Sequence, residues 1–162
     1  MFDLSVWHKM MGFKRGYILT NNLKEAQQVA MKLLAGREHS RYELRSKLAM
    51  RKFAEDVVDQ VLNYLEDNNL QNDGRFTEAY MVMKMRKGFG PVRVKQEMHD
   101  RGISAELIEE YLADDEQWIK LAIKVRTKKF GADIPKDFVK KTKQMKFLQY
   151  RGFTAEQIKQ SF

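Results

Sequence analysis

The feature that most constrains the fold of this chain is an internal repeat with a period of fifty residues. The segments RKFAED (51–56), RGISAE (101–106) and RGFTAE (151–156) align without gaps. Apolar residues on both sides of these segments keep the same register, at Leu48, Met98, Leu148, Val58, Ile108 and Ile158. Stacking of such units on their neighbours gives an extended array rather than one round core.

Each repeat is predicted to contain three helices, because apolar residues recur at helical spacing behind capping residues. In the first repeat, Asn22 is expected to cap one helix, and Ser40 with Glu43 forms an S-x-x-E capping box for the next. The third helix is predicted to begin near Glu55. No segment alternates with the two-residue period of a strand, so the chain is predicted to be all-α.

Helix starts in the other two repeats follow from similar signals. Asp73 is predicted to cap the first helix of the second repeat, and Pro91 suits the first position of its middle helix. In the third repeat, Pro135 is predicted to start the middle helix, and Thr154 with Gln157 to form a capping box for the last helix.

The predicted architecture is therefore all-α, with three tandem three-helix-bundle repeats in an elongated, curved array. The repeats span residues 22–70, 71–115 and 116–162, and residues 1–21 form an N-terminal arm outside them. An insertion of about nine residues, GADIPKDFV, lengthens the approach to the middle helix of the third repeat.

The G-x-G-P stretch at residues 88–91 raises the question of a phosphate-binding loop. Such a loop needs a preceding strand and further glycines or a G-K-[ST] ending, whereas a helix is predicted here, so a tight helix–helix turn is favoured. The three histidines lack metal-ligand spacing, and no serine is paired with a positioned base. We therefore predict a protein that is not an enzyme and that has no catalytic residue, metal site or cofactor.

The absence of cysteine excludes a disulfide framework and favours the reducing cytoplasm. No apolar run approaches the ~20 residues that a membrane-spanning helix needs, so no membrane association is expected.

The net charge of +8 is concentrated at one end of the chain. Residues 116–162 carry +8, whereas residues 25–70 carry −1 and residues 71–115 carry −2. In every repeat the first two helices hold the bases, so stacked repeats would present a basic stripe suited to a long anionic partner. The alternative is that charge pairs four residues apart only keep the helices soluble.

Five aromatic residues lie within the basic regions: Phe89, Phe130, Phe138, Phe147 and Tyr150. Their helical spacing predicts that most of them belong to the core. The alternative is that they stack on the bases of a nucleic-acid strand.

Six short motifs together resemble one known family. In chain order they are L-x-x-R-x-H-S-x-x-E-L-x-x-K-L (34–48), D-x-R-F (73–76), RKGFGP (86–91), RG-I (101–103), KKFG (128–131) and LQYRGF (148–153). Together they resemble the RecX regulatory proteins of bacteria, over roughly residues 25–162. The resemblance implies three three-helix bundles in a crescent. It also implies a non-enzymatic modulator of RecA, the recombinase that polymerises on single-stranded DNA.

Members of that family bind in the groove of the RecA filament or at its growing end. The resemblance therefore implies inhibition of strand exchange, of ATP hydrolysis and of the coprotease activity that triggers the SOS response. The expected partners are the RecA filament and, weakly and with salt dependence, single-stranded or double-stranded DNA. A cytoplasmic monomer is expected.

The predicted contact residues for RecA and its DNA are the bases that lack compensating acids in the second and third repeats. They are Arg86, Lys87, Arg93, Lys95, Arg126, Lys128, Lys129, Lys140, Lys141, Lys143 and Lys146. Two other functions stay open from the sequence: a helical-repeat protein that binds DNA directly without RecA, and a structural scaffold.

Overall fold

The computed structural model describes residues 22–162, which form nine α-helices and, within that range, no strand. The helices are α1 (Leu23–Gly36), α2 (Arg41–Met50), α3 (Glu55–Asp67), α4 (Asp73–Arg86), α5 (Pro91–His99), α6 (Ala105–Leu112), α7 (Asp115–Phe130), α8 (Phe138–Tyr150) and α9 (Ala155–Gln160). The closest packing occurs within α1–α3, α4–α6 and α7–α9, named bundles 1, 2 and 3. The predicted all-α class with three tandem three-helix units is confirmed, and the predicted arm, residues 1–21, lies outside the described residues.

Each bundle buries its own apolar residues at the positions shared by the repeats. Leu48 in α2, Met98 in α5 and Leu148 in α8 are all completely buried. Trp118 in α7 is also completely buried, and it packs into the core of bundle 2 although α7 belongs to bundle 3. One turn further on, Ala122 packs into the core of bundle 3. Helix α7 therefore joins the two cores.

Most predicted helix starts are confirmed by side-chain hydrogen bonds. The Asn22 Oδ1 accepts a hydrogen bond from the Glu25 backbone N–H at 3.1 Å, and Pro91 occupies the first turn of α5. Thr154 and Gln157 form both halves of their capping box. Such bonds satisfy backbone N–H groups that have no partner within the helix.

Only one of the two hydrogen bonds of the predicted Ser40–Glu43 capping box forms. The Ser40 Oγ accepts from the Glu43 backbone N–H at 3.0 Å. The Glu43 carboxylate instead contacts the Arg37 guanidinium and the His39 ring N–H, because both donors lie within its reach. The side chain that would have completed the box is thus used by Arg37 and His39.

Two predicted helix starts are wrong. The cap of α4 is Asn72, whose Oδ1 accepts from the Arg75 backbone N–H at 3.0 Å. Asp73 is the first helical residue, and its Oδ1 accepts from the Arg41 backbone N–H at 2.8 Å, at the start of α2 in the preceding bundle. Helix α8 starts at Phe138 rather than at Pro135, because the Asp137 carboxylate caps it.

A junction of the same design joins each bundle to the next. The turn that follows the middle helix of one bundle docks on the start of the middle helix of the preceding bundle. Between bundles 1 and 2, the Ser40 Oγ donates to the Arg101 carbonyl at 2.8 Å. Between bundles 2 and 3, the Gly90 backbone N–H donates to the Arg151 carbonyl at 2.8 Å. Donors and acceptors are both fifty residues apart, so the junction repeats with the sequence.

Glycine is required at the docked turns for two reasons. Gly102 and Gly152 have φ angles of 75° and 88°, in the left-handed region that side chains disfavour. A Cβ on Gly152 would lie 2.5 Å from the Cβ of Arg93, and a Cβ on Gly102 would lie 2.6 Å from that of Tyr42. The equivalent residue of bundle 1 is Lys52 with φ 64°, at a turn that docks on no other described bundle.

A buried polar cluster lies at the junction of bundles 1 and 2. His39 is buried, and its Nδ1–H donates to the Glu43 Oε2 at 2.8 Å. The other Glu43 oxygen lies 3.4 Å from the Arg101 Nε, so Glu43 joins the two bundles. Burial lowers the pKa of His39 and outweighs the opposing hydrogen bond to Glu43. His39 is therefore neutral in the folded protein at neutral pH.

Gly152→Ala tests the junction between bundles 2 and 3. The added Cβ must overlap Arg93, so the free energy of unfolding should fall by at least about 1 kcal/mol beyond the cost of the left-handed backbone. Gly131→Ala is the matched control, because Gly131 has φ 90° and nothing within 4 Å of its Cβ position. Urea denaturation of both variants separates the steric cost from the backbone cost. Equal losses would show that the docking contact does not constrain the chain.

His39→Gln tests the cluster between bundles 1 and 2. Because the folded protein holds the pKa of His39 below its usual value of 6.5, the unfolded chain binds this proton more readily. The free energy of unfolding should thus fall as the pH drops from about 7 through the usual histidine range. His39→Gln should flatten that dependence, whereas His99→Gln, on an exposed residue, should keep it. Denaturation at pH 7.5 and 5.5 gives the comparison, and an unchanged slope in His39→Gln would contradict it.

Candidate basic interaction surface

Arg126 does not lie on the surface where the sequence placed it. Its side chain is buried, with 4% of its area exposed. Its Nε donates to the Ser161 carbonyl at 3.0 Å, and its Nη atoms reach the Ala132 and Asp133 carbonyls at 3.3 and 3.4 Å. Arg126 therefore satisfies backbone carbonyls inside bundle 3 and cannot contact a partner.

The sequence contained a signal for this burial. Trp118, Ala122 and Arg126 follow one another at intervals of four, so they share the inward face of α7. A guanidinium on that inward face has several N–H donors. These donors can pair with backbone carbonyls at helix and loop ends that would otherwise lack a partner.

The predicted bases of α5 are engaged with acids of their own bundle. The Arg93 Nε lies 2.9 Å from the Glu97 Oε1, and Lys95 forms an ion pair with Glu109 of α6. Lys84 also pairs with Glu97. The alternative of local charge pairing thus applies to bundle 2 at these positions.

Glu97 is the centre of this network. Burial opposes its ionisation, but hydrogen bonds from Lys84, Tyr80 and Arg93 together lower the pKa of Glu97 to about 2. Burial and the hydrogen bond to Glu97 raise the pKa of the Tyr80 hydroxyl. The carboxylate is therefore ionised at neutral pH, and it neutralises bases that would otherwise face a partner.

Bundle 1 shows the same local pairing. Three arginines on and before α2 contact acids of their own bundle, in the pairs Arg37–Glu43, Arg41–Glu66 and Arg45–Asp59. The first bundle therefore contributes little unbalanced positive charge to a stripe.

Bundle 3 differs because α8 has no acidic residue. Lys128, Lys140, Lys143 and Lys146 are exposed, and among residues 22–162 none of them forms an ion pair. Lys129 lies over the Phe147 ring at 4.5 Å, and Lys141 lies over Phe162 at 5.4 Å. These two side chains keep their charge, because an aromatic face does not neutralise an ammonium group.

The junction of bundles 2 and 3 brings three basic segments together. The Arg151 Nη1 donates to the Lys87 carbonyl at 2.8 Å, and its guanidinium lies 5.1 Å from the Phe147 ring centroid. Lys129 lies over the same ring. Lys87, Lys129, Phe147 and Arg151 therefore meet at this point, and they belong to the segments 86–87, 128–129 and 143–151. We define the junction surface by the exposed bases of these segments: Arg86, Lys87, Lys128, Lys129, Lys143 and Lys146.

The aromatic residues divide between core and surface. Phe130 and Phe147 contact each other edge to face at 5.3 Å, and Phe89 and Phe147 pack against the cores of bundles 2 and 3. The prediction that most of the five pack in the interior is confirmed by these three, whereas Phe138 and Tyr150 are 81% and 84% exposed. They are the first and last residues of α8, beyond the part of the helix that packs on its neighbours.

The G-x-G-P stretch has no feature of a phosphate loop. Gly88 adopts φ 74° directly after α4, and Gly90 precedes Pro91 at the start of α5.

Among residues 22–162, no group of three or more histidine, aspartate or glutamate side chains is placed to hold a metal ion. None of the helices described is both long enough and apolar enough to cross a bilayer.

Comparisons with known proteins agree with this three-bundle architecture. Family models of the first, second and third three-helix domains of RecX match residues 26–65, 72–112 and 115–161. The regulatory protein RecX of Halorhodospira halophila is 42% identical over 134 residues, which cover 82% of this chain and 83% of that protein. The regulatory protein RecX of Escherichia coli O9:H4 is 35% identical over 142 residues, covering 81% of this chain and 86% of that protein.

A solved structure shows the same fold at lower identity. The crystal structure of RecX from Lactobacillus salivarius superposes with a TM-score of 0.73 at 22% identity, covering 86% of this chain and 93% of that one. With each bundle matched by its own domain model and close relatives matched over most of their length, the chain belongs to the RecX family of regulatory proteins.

Proposed function

We propose that this protein binds RecA and its filament on single-stranded DNA and inhibits the recombinase, ATPase and coprotease activities. Such a protein would act in the cytoplasm as a monomer and would restrain recombination, DNA repair and the SOS response without catalysing a reaction. The observation that carries the proposal is the junction surface, where exposed bases remain without acidic partners in a family of regulators.

The distribution of ion pairs supports an anionic partner on bundle 3 and the adjacent end of bundle 2. A base that is already paired must lose that partner before it binds a phosphate, so Arg93 and Lys95 are weaker candidates than the junction surface. Lys140 and Lys141 lie at the start of α8 and would extend the contact along bundle 3.

The row of bundles supports an extended target. Hydrogen bonds and ion pairs across bundles join bundle 1 to bundle 2 and bundle 2 to bundle 3, and within residues 22–162 none joins bundle 1 to bundle 3. A linear array of this kind offers a long binding surface, which suits a filament better than a small ligand.

Direct binding of DNA without RecA is the second candidate function. It rests on the same unpaired lysines, because lysine binds phosphates of any sequence through its charge alone. Naked single-stranded DNA is therefore the necessary control in any filament experiment.

Reversal of two lysines tests the proposal. Lys143→Glu with Lys146→Glu should weaken inhibition of the ATPase of preformed RecA–single-stranded DNA filaments by about tenfold or more. If both lysines contact single-strand phosphates, the slope of log affinity against log salt should fall by about 1.4. The matched control is Lys24→Glu with Lys32→Glu, which changes the net charge equally on exposed lysines of bundle 1.

Each outcome separates the candidate functions. Loss of inhibition in the bundle 3 variant, with wild-type inhibition in the control, supports the proposal. Equal inhibition by both variants would remove the junction surface from the contact. Binding of naked DNA as tightly as of the filament would favour the second candidate.

A further inference from the structure

The start of the middle helix is a docking face in bundles 1 and 2. In bundle 2, Val92 is the second residue of α5, and its backbone N–H donates to the Gly152 carbonyl of bundle 3 at 3.0 Å. In bundle 1, Tyr42 is the second residue of α2, and it packs against Gly102 of bundle 2. The second helical position therefore carries the contact with the next bundle in both cases.

In bundle 3, α8 begins ten residues before the buried Leu148, whereas α2 and α5 begin seven residues before Leu48 and Met98. The helix therefore has one added turn at its start, and this turn is open. Phe138 and Val139 are the first two residues of α8, and they are 81% and 74% exposed. Ile134 in the preceding loop adds a third exposed apolar side chain. Within residues 22–162 no segment covers them. A benzyl group with most of its area in water is costly unless another surface buries it.

The charges beside this face define the partner that fits it. Lys136, Lys140 and Lys143 flank Phe138 and Val139 in the sequence and are exposed. The nearest acid, Asp137, accepts a hydrogen bond from the Lys140 backbone N–H at 2.7 Å, so its carboxylate is used as the helix cap. An apolar projection with a basic rim is complementary to an apolar recess edged by carboxylates.

A second copy of the chain does not fit the face. Docking in the manner of the internal junctions would use the turn of bundle 1, where Lys52 replaces the glycine of the docked turns. A Cβ at this turn overlaps the receiving helix in both internal junctions, so Lys52 blocks head-to-tail assembly. Docking of two identical faces would oppose the basic rims and is disfavoured by repulsion.

We propose that Phe138 and Val139 form an apolar anchor that inserts into a carboxylate-edged recess of a partner protein. This inference rests on the proposed function, in which the partner is a protein subunit of the recombinase filament. The interface then has an electrostatic part and an apolar part. The junction surface binds with strong salt dependence, and the anchor contributes affinity by burial, which salt does not screen.

The test measures affinity and salt dependence together. Phe138→Ser with Val139→Ser should weaken binding to preformed RecA–single-stranded DNA filaments by about tenfold or more, as loss of an aromatic anchor does. The salt slope should stay at the wild-type value, in contrast to the slope of the lysine variant. The matched control is Tyr64→Ser with Met50→Ser, which removes exposed apolar side chains from bundle 1 and should bind as wild type. Circular dichroism confirms the helical fold of each variant.

Three results would overturn the anchor while leaving the proposed function intact. In the first, the Phe138 and Val139 variant binds the filament as tightly as wild type. In the second, the variant loses as much affinity for naked DNA as for the filament. In the third, the wild-type protein self-associates in sedimentation and the variant does not. The last two would assign the face to nucleic acid or to a second copy. A wild-type protein that fails to bind the filament would instead overturn the proposed function, and with it the anchor.

Discussion

The architecture depends on one contact, the docking of a glycine turn on the start of a helix in the preceding bundle. A helix start has backbone N–H groups without partners, and a bundle of three short helices has little core of its own. The Arg151 carbonyl accepts from the Gly90 backbone N–H, and the Arg101 carbonyl accepts from the Ser40 hydroxyl. The absence of a Cβ at the following glycine allows the two backbones to approach. One contact thus completes hydrogen bonding and fixes the bundles relative to each other.

The distribution of charge depends on the acids that the third helix of each bundle carries. In bundles 1 and 2 the third helix places carboxylates within reach of the middle helix, as in the pairs of Arg45 with Asp59 and Lys95 with Glu109. Helix α9 of bundle 3 has six residues and one acid, Glu156, so α8 receives no such neutralisation. The unbalanced charge of the chain therefore collects in bundle 3.

Local signals in the sequence predicted the local structure. Caps at Asn22, Ser40 and Thr154 are correct because the bonded atoms lie within three residues of each other. The error at Asp73 occurs because a distant residue competes for the same side chain. Asp73 serves a helix of the preceding bundle rather than its own, and nothing in its immediate neighbours indicates that use.

The region of the candidate surface was predictable from the sequence, but the individual residues that are exposed and unpaired were not. Charge counting located it in the third repeat, whereas only tertiary contacts show that Arg126 is buried and that Arg93 is paired. The exposure of Phe138 was also hidden, because a benzyl group at helical spacing fits a core as well as an interface. Which of the two it occupies depends on where the insertion starts α8.

The junction also gives the array a direction, and its two ends differ chemically. At the bundle 1 end, Lys52 takes a left-handed conformation that glycine would adopt at lower cost. A Cβ at the equivalent turns of bundles 2 and 3 would overlap the receiving helix, so the turn at Lys52 does not fit the docking contact of the internal junctions. At the bundle 3 end, the added first turn of α8 leaves Phe138 and Val139 exposed beside lysines. A repeat contact that could propagate without limit is thereby stopped at one end by a side chain. At the other end, the added turn of α8 is the apolar surface that we propose for a partner with complementary charge.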